Sequence, residues 1–253
     1  MTSMRALTPR ALSDEQGIAL VVTLMAMSLM LALGLALTLT TMTELRIAAT
    51  YRRGVEAWYA VDAAIARAVL DLSRESRWDD VLGGTVKSTF VDGSATGVRT
   101  LRGGGSLDLL QATSVVRCGR SACSQADLVA ITDDRPWGAN NPVWQPYAYG
   151  LLDTLAAPGA IESAMYVMVW VADDPSESDD DPLHDGGPPP GCNPDTEPSC
   201  ADRNIGRGVV ALLARAFGPD DTQRTVVITL ARSDPSSGEV ADRGAARVIS
   251  WRE

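Results

Sequence analysis

The chain has 253 residues, a formal net charge of -10 and a pI near 4.6. That length holds one anchoring element plus one globular domain, and leaves no room for two large independent cores. The acidic balance argues against a nucleic-acid binder, which clusters Lys and Arg against phosphates.

Apolar residues concentrate near the N-terminus. Residues 1–17 form a short polar leader carrying Arg5 and Arg10, and residues 16–43 contain no charged side chain. A helix rising ~1.5 Å per residue needs about 20 apolar residues to cross a bilayer, so residues 18–43 are predicted to span a membrane. A cleaved secretory signal is the rival, but its apolar region is typically about 7–15 residues and ends at a small-residue site. Here the pattern runs on unbroken. Residues 44–77 continue without proline, rich in Ala, Leu, Glu and Arg, so helix is expected to persist. Ile47, Tyr51, Val55, Trp58, Ile65, Val69 and Leu72 are predicted to form its apolar stripe. A single helix from about residue 17 to 73 would be about 85 Å long.

The segment DEQGIALVVTLMAMSLMLALG resembles a prepilin processing site, a polar leader ending in glycine followed directly by an apolar helix. The continuation TELRIAATYRRGVEAWYAVDAAIARAV is similar to the N-terminal region of PilX-type minor pilins, the likeness resting on Glu44, Arg46, Arg53, Ala57, Ala60, Asp62, Ala63 and Ala64. The resemblance implies that a prepilin peptidase cuts between Gly17 and Ile18 at the cytoplasmic membrane face and that the new terminus is methylated. It further implies an inner-membrane protein with a single span and a periplasmic C-terminal domain, which then joins other pilin or pseudopilin subunits in a surface filament.

Two positions depart from the family pattern. Major pilins carry a glutamate at the fifth mature position, where this chain has Val22; a carboxylate inside a membrane is expensive unless paired, so the substitution favours a minor or tip component. Glu15 and Gln16 also stand where a basic residue often precedes the glycine. A K-class pseudopilin of type II secretion, and an uncleaved single-pass protein with an outer binding domain, are the alternatives.

After Arg77 the pattern changes to short β-branched and apolar runs punctuated by Gly, Pro, Asn and Asp. Strands are predicted at 85–91, 97–101, 107–117, 127–132, 164–171, 208–217, 222–232 and 247–251. The Gly218-Pro219-Asp220-Asp221 turn between two apolar runs predicts a hairpin. The expected fold is α+β: a long N-terminal helix, half transmembrane and half amphipathic, packed on an antiparallel sheet formed by residues 78–253, as in pilins.

Residues 173–207 are too acidic and Pro-rich to pack as core. Asp173, Asp174, Asp179, Asp180 and Asp181 crowd carboxylates into one stretch, and calcium takes about 6–8 oxygen ligands; the plainer reading, in the absence of EF-hand spacing, is a solvated loop without a cofactor. Cys118 with Cys123 and Cys192 with Cys200 read as local disulfides in an oxidising compartment, although four cysteines permit other pairings. Zinc usually asks for cysteines separated by about two to four residues, and the sole histidine is His184. Trp137, Trp144, Tyr147 and Tyr149 lie in a predicted loop, as adhesive contacts or local packing. No nucleophile, phosphate-loop or metalloprotease motif is present, so no catalytic residues are assigned and no enzyme is expected.

Overall fold

The computed structural model describes residues 15–75, 77–134, 142–157, 159–175, 180–186, 191–193, 195–197, 199, 208–232 and 246–253. The chain divides into two units, Met1–Tyr51 and Arg52–Glu253. Helix α1 (Glu15–Leu72) supplies the described part of the first and the opening element of the second. The fold class is α+β, as expected.

In the second unit, β3 (Gln145–Leu151), β4 (Tyr166–Asp173), β5 (Val209–Phe217), β6 (Gln223–Arg232) and β7 (Ala246–Arg252) form an antiparallel meander in chain order. A two-stranded ribbon, β1 (Val98–Thr100) and β2 (Ser106–Asp108), precedes it. The β5–β6 hairpin forms where its turn chemistry placed it, with Val209 opposite Ala231 and Phe217 opposite Gln223.

The helix face that meets the sheet is narrower and smaller than the expected stripe. Ala57, Ala60, Val61, Ala64, Ile65, Ala68 and Leu72 are buried against Val167, Val169, Val171, Leu212, Ala214 and Ile228. Of the expected stripe, Ile65 and Leu72 are buried and Trp58 and Val69 half-buried, whereas Ile47 and Tyr51 are 64% and 74% exposed. Alanines carry little side-chain volume into the contact, and the bulkier Trp58 and Val69 lie half-buried beside it. The helix ends at Leu72, where the Trp78 indole nitrogen donates to the Leu72 carbonyl at 3.1 Å, satisfying one of the acceptors that any helix end leaves free.

Strand β4 is buried along its whole length because both of its faces are covered. On the side away from α1, Tyr149, Tyr166, Met168, Trp170 and Phe217 pack against Leu109 and Ala112, and the Trp170 indole donates to Thr113 Oγ1 at 3.0 Å. These partners belong to α3 (Leu109–Cys118), which corrects the strand expected at 107–117. Asp108 caps its start by accepting from the backbone of Leu110 and Gln111, and Gly119 ends it with φ +70°. The strand expected at 127–132 is likewise replaced by α4 (Gln125–Asp134). Its start is a reciprocal cap: Ser124 N donates to Asp127 Oδ2 and Asp127 N to Ser124 Oγ. Capping overrode the β-branched content in both places.

The stretch expected as a strand at 85–91 is irregular. It follows the outer edge of β3 with one bridge, Val91 to Tyr149, its other amides partly engaged by side chains. The missed strand is β3, hidden by Pro146; proline is tolerated at a sheet edge, and a bulge follows it between Pro146 and Ala148. A further helix, α2 (Asp79–Leu82), makes one turn.

Enlarging the seam tests this packing. Ala64→Leu is expected to destabilise the second unit by about 1–3 kcal/mol through overpacking, while Ala66→Leu on the exposed face shifts stability by no more than about 0.5 kcal/mol; denaturant unfolding of the full chain in detergent measures both.

Candidate functional site

Helix α1 carries every residue on which the functional reading rests. Gly17 and Ile18 lie in its first turn, both exposed. A Cβ added at Gly17 would meet nothing within 4 Å, so the fold itself gives no reason for glycine there, although glycine in a helix costs about 1 kcal/mol relative to alanine. Residues 1–14 lie outside the described residues.

From Gly17 onward the helix is long and apolar enough to cross a membrane, and none of its most apolar window is buried within the protein. Leu24, Met30, Leu33 and Leu37 are each more than half exposed. Contiguous apolar surface of that extent is foreign to a water-facing helix. The few polar side chains are neutralised locally: the hydroxyls of Thr23, Ser28, Thr38, Thr40, Thr41 and Thr43 each donate to a carbonyl one turn earlier. With backbone groups bonded inside the helix as well, little polar surface faces hydrocarbon. Val22 is exposed and offers no charge.

In the second unit three acidic or basic contacts fasten α1 to the sheet's loops. Arg53 pairs with Asp220 at 2.5 Å, on a turn in which Asp220 and Asp221 both adopt positive φ. Glu56 Oε1 accepts from Ser163 Oγ at 2.6 Å and from Ala164 N at 3.3 Å. Asp71 is the most enclosed of these groups, 5% exposed. Its Oδ2 accepts from Ser88 Oγ at 2.5 Å, Thr89 N at 3.0 Å, Thr89 Oγ1 at 3.1 Å and Arg67 Nε at 3.2 Å. Burial works to raise the Asp71 pKa, but the Ser88 and Thr89 hydrogen bonds and the Arg67 charge outweigh it and hold the carboxyl below its ordinary value.

A second clasp lies on the opposite face of the sheet. Arg99 grips Asp92 through Nε and Nη2, both at 3.0 Å, and the Tyr166 hydroxyl donates to Asp92 at 2.9 Å. Burial, reinforced by that bond, pushes the Tyr166 hydroxyl well above its ordinary value.

The other candidate residues fall elsewhere. Cys118 and Cys123 are joined in a disulfide with Cα atoms 6.0 Å apart, closing the turn after α3. Cys192 is also disulfide-bonded; Cys200 lies outside the described residues. Asp173 is buried at the end of β4, Asp174 follows it, and Asp180 and Asp181 are exposed, while Asp179 lies outside the described residues. Among the described residues no three His, Cys, Asp or Glu side chains converge as a metal site. The stretch is tied down instead by Asp185, whose amide donates to Asp79 Oδ1 and whose Oδ1 accepts from Gly208 N, both at 2.7 Å. Tyr147 and Tyr149 are 1% and 0% exposed in β3, so the adhesive reading of these two rings is overturned; Trp144 is half-buried and Trp137 lies outside the described residues.

Residues 16–66 match the family model described as PilX N-terminal, 51 of the chain's 253 residues. The likeness read from Glu44 to Ala64 is therefore shown for this segment, which is similar to the N-terminal region of PilX-type minor pilins. No curated protein and no solved structure matches the chain.

The Asp71 clasp predicts a pH dependence. A carboxyl whose folded pKa lies below its unfolded value of about 3.9 contributes stability that is present above that value and lost as pH falls through the folded pKa. Asp71→Asn is expected to lower stability at neutral pH by about 2 kcal/mol, with the gap to the unmodified chain closing below pH ~3; unfolding curves across pH measure it.

Proposed function

We propose that the chain is a minor pilin-like structural subunit, working in type IV pilus assembly or at the filament tip, and matured by a prepilin peptidase between Gly17 and Ile18. The observation that carries this reading is the PilX-type segment at residues 16–66 coinciding with an exposed, charge-free helix. The helix stores the subunit in the inner membrane with the second unit on the periplasmic side; after maturation the same apolar surface joins a bundle of neighbouring subunit helices. Polar side chains bonded back to the helix, from Thr23 to Thr43, suit both environments, because neither demands a partner for them.

Val22 supports a minor role. A subunit without a carboxylate at that position cannot attract the N-terminal amine of a neighbour across a low-dielectric core, where such a pair is worth most. It is therefore suited to a place where stacking on a preceding subunit is not required. The partners in this reading are the peptidase, the membrane and other pilin subunits. The work is assembly, with no chemistry on a substrate.

Maturation is the decisive test. Co-expression with a prepilin peptidase should yield a chain whose intact mass begins at Ile18, and Gly17→Leu should abolish that shift while membrane insertion persists. An unshifted mass in the unmodified chain would favour a plain anchor, and normal processing of the variant would move the junction elsewhere.

A further inference from the structure

On the face of the sheet opposite α1, the described residues cover only part. The cluster built around Trp170 seals β3 and β4 and reaches Leu213 on β5. Side chains alternate along a strand, and Val226, Ile228 and Leu230 are buried toward the helix. Val227, Thr229 and Ala231 of β6 therefore point the other way, and they remain half-buried. Paired residues share a face: Val227 is opposite Arg252, Thr229 opposite Ser250, and Ala231 opposite Arg247. On β5, Arg215 lies opposite Thr225. The register thus gathers Arg215, Arg247 and Arg252 around a floor of Val227, Thr229 and Ala231.

Among the described residues these three arginines have no carboxylate partner, as is also true of Arg117, whose guanidinium donates to Trp144 O and Gln145 Oε1. Arg53, Arg67, Arg99, Arg120 and Arg224 each pair with a carboxylate. Arg247 and Arg252 are exposed and make no ion pair among the described residues. The Arg215 guanidinium is half-buried, donates through Nε to Thr225 Oγ1 at 2.8 Å, and has no carboxylate within ion-pair reach among the described residues; burial alone lowers its pKa. Half-burying an uncompensated cation is costly, and although the chain has ten more carboxylates than cations, none among the described residues pairs with these three.

We infer that this face is a docking surface for an extended acidic segment of a partner protein, whose carboxylates pair with Arg247 and Arg252 while a small apolar side chain between them rests on Thr229 and Val227. The spacing selects that occupant. The partners of Arg247 and Arg252 on β6 are Ala231 and Val227, four residue steps apart, about 13 Å at ~3.3 Å per residue, which is the distance between side chains at i and i+4 of an extended chain. Arg215, two strands away and about 10 Å to the side, reaches a third carboxylate. Nucleic acid is a poorer fit: beside the three cations the described residues of this face show no exposed ring on which a base could stack, since Tyr149, Tyr166, Trp170 and Phe217 are buried and Trp251 lies on the helix side, edge-on to Trp58 at 6.0 Å.

The test uses the full chain in detergent and a fluorescein-labelled peptide repeating Glu-Val-Thr-Val, which sets carboxylates four residues apart. Anisotropy should report binding by the unmodified chain, weakened at least about tenfold in Arg247→Gln/Arg252→Gln, as expected for loss of close charge pairs, and weakened similarly when the peptide's Glu is replaced by Gln. Both substituted arginines are exposed, so an unchanged thermal transition will accompany the loss. Arg224→Gln, which removes the same charge from the helix side, should bind the peptide normally. Absence of binding to the unmodified chain, equal binding by the double variant, equal loss in Arg224→Gln, or displacement of the peptide by single-stranded DNA or phosphatidylglycerol vesicles at lower concentration than by unlabelled peptide would overturn the proposal. The readout does not depend on cleavage at Gly17, so this surface and the maturation reading fail separately.

Discussion

The seam of small side chains between α1 and the sheet governs how the second unit is built. Ala57, Ala60, Ala64 and Ala68 carry almost no side chain into the interface, and close packing then brings the backbone near enough to the sheet for loop groups to reach charges on the helix. Glu56 and Asp71 sit on turns adjacent to the seam and take hydrogen bonds from Ser163, Ser88 and Thr89. Larger residues at the alanine positions would lift the helix away from those donors. The carboxylates would then be left enclosed without partners, which costs more than the bonds themselves contribute.

The same economy of polar groups runs through the apolar part of α1. Six hydroxyl side chains lie between residues 23 and 43, and each is bonded back to its own helix. Residues 17–43 thus present a surface largely of aliphatic carbon, and the second unit binds many of its charges in pairs. The arginine group on the far face of the sheet has no such pairing among the described residues.

Much of the candidate site was legible in the primary sequence. The charge-free run, the glycine before it and the acid-containing alanine helix after it are contiguous, so composition and spacing find them without a fold. The β5–β6 hairpin was legible for the same reason, its turn and both strands being neighbours in the chain. Helices α3 and α4 were misread because β-branched residues were weighed above capping, although Asp108, Gly119 and the Ser124–Asp127 pair were visible signals. Strand β3 gave no such signal. Pro146 and the aromatic content of its neighbourhood suggest a loop, and only the presence of β4 beside it, with Tyr147 and Tyr149 sealed on opposite faces, makes it a strand.

By itself, then, the sequence determined what depends on neighbours within a few turns: an apolar helix long enough for a bilayer, its PilX-type character, and the hairpin that seeds the sheet. Tertiary structure decided which side of the helix is buried, since periodicity marked large apolar residues while the seam with the sheet is lined largely by alanine. It also decided which charges are compensated. Arg215, Arg247 and Arg252 are scattered along the chain and come together only through strand register, and register is fixed by contacts across the sheet that no local window contains.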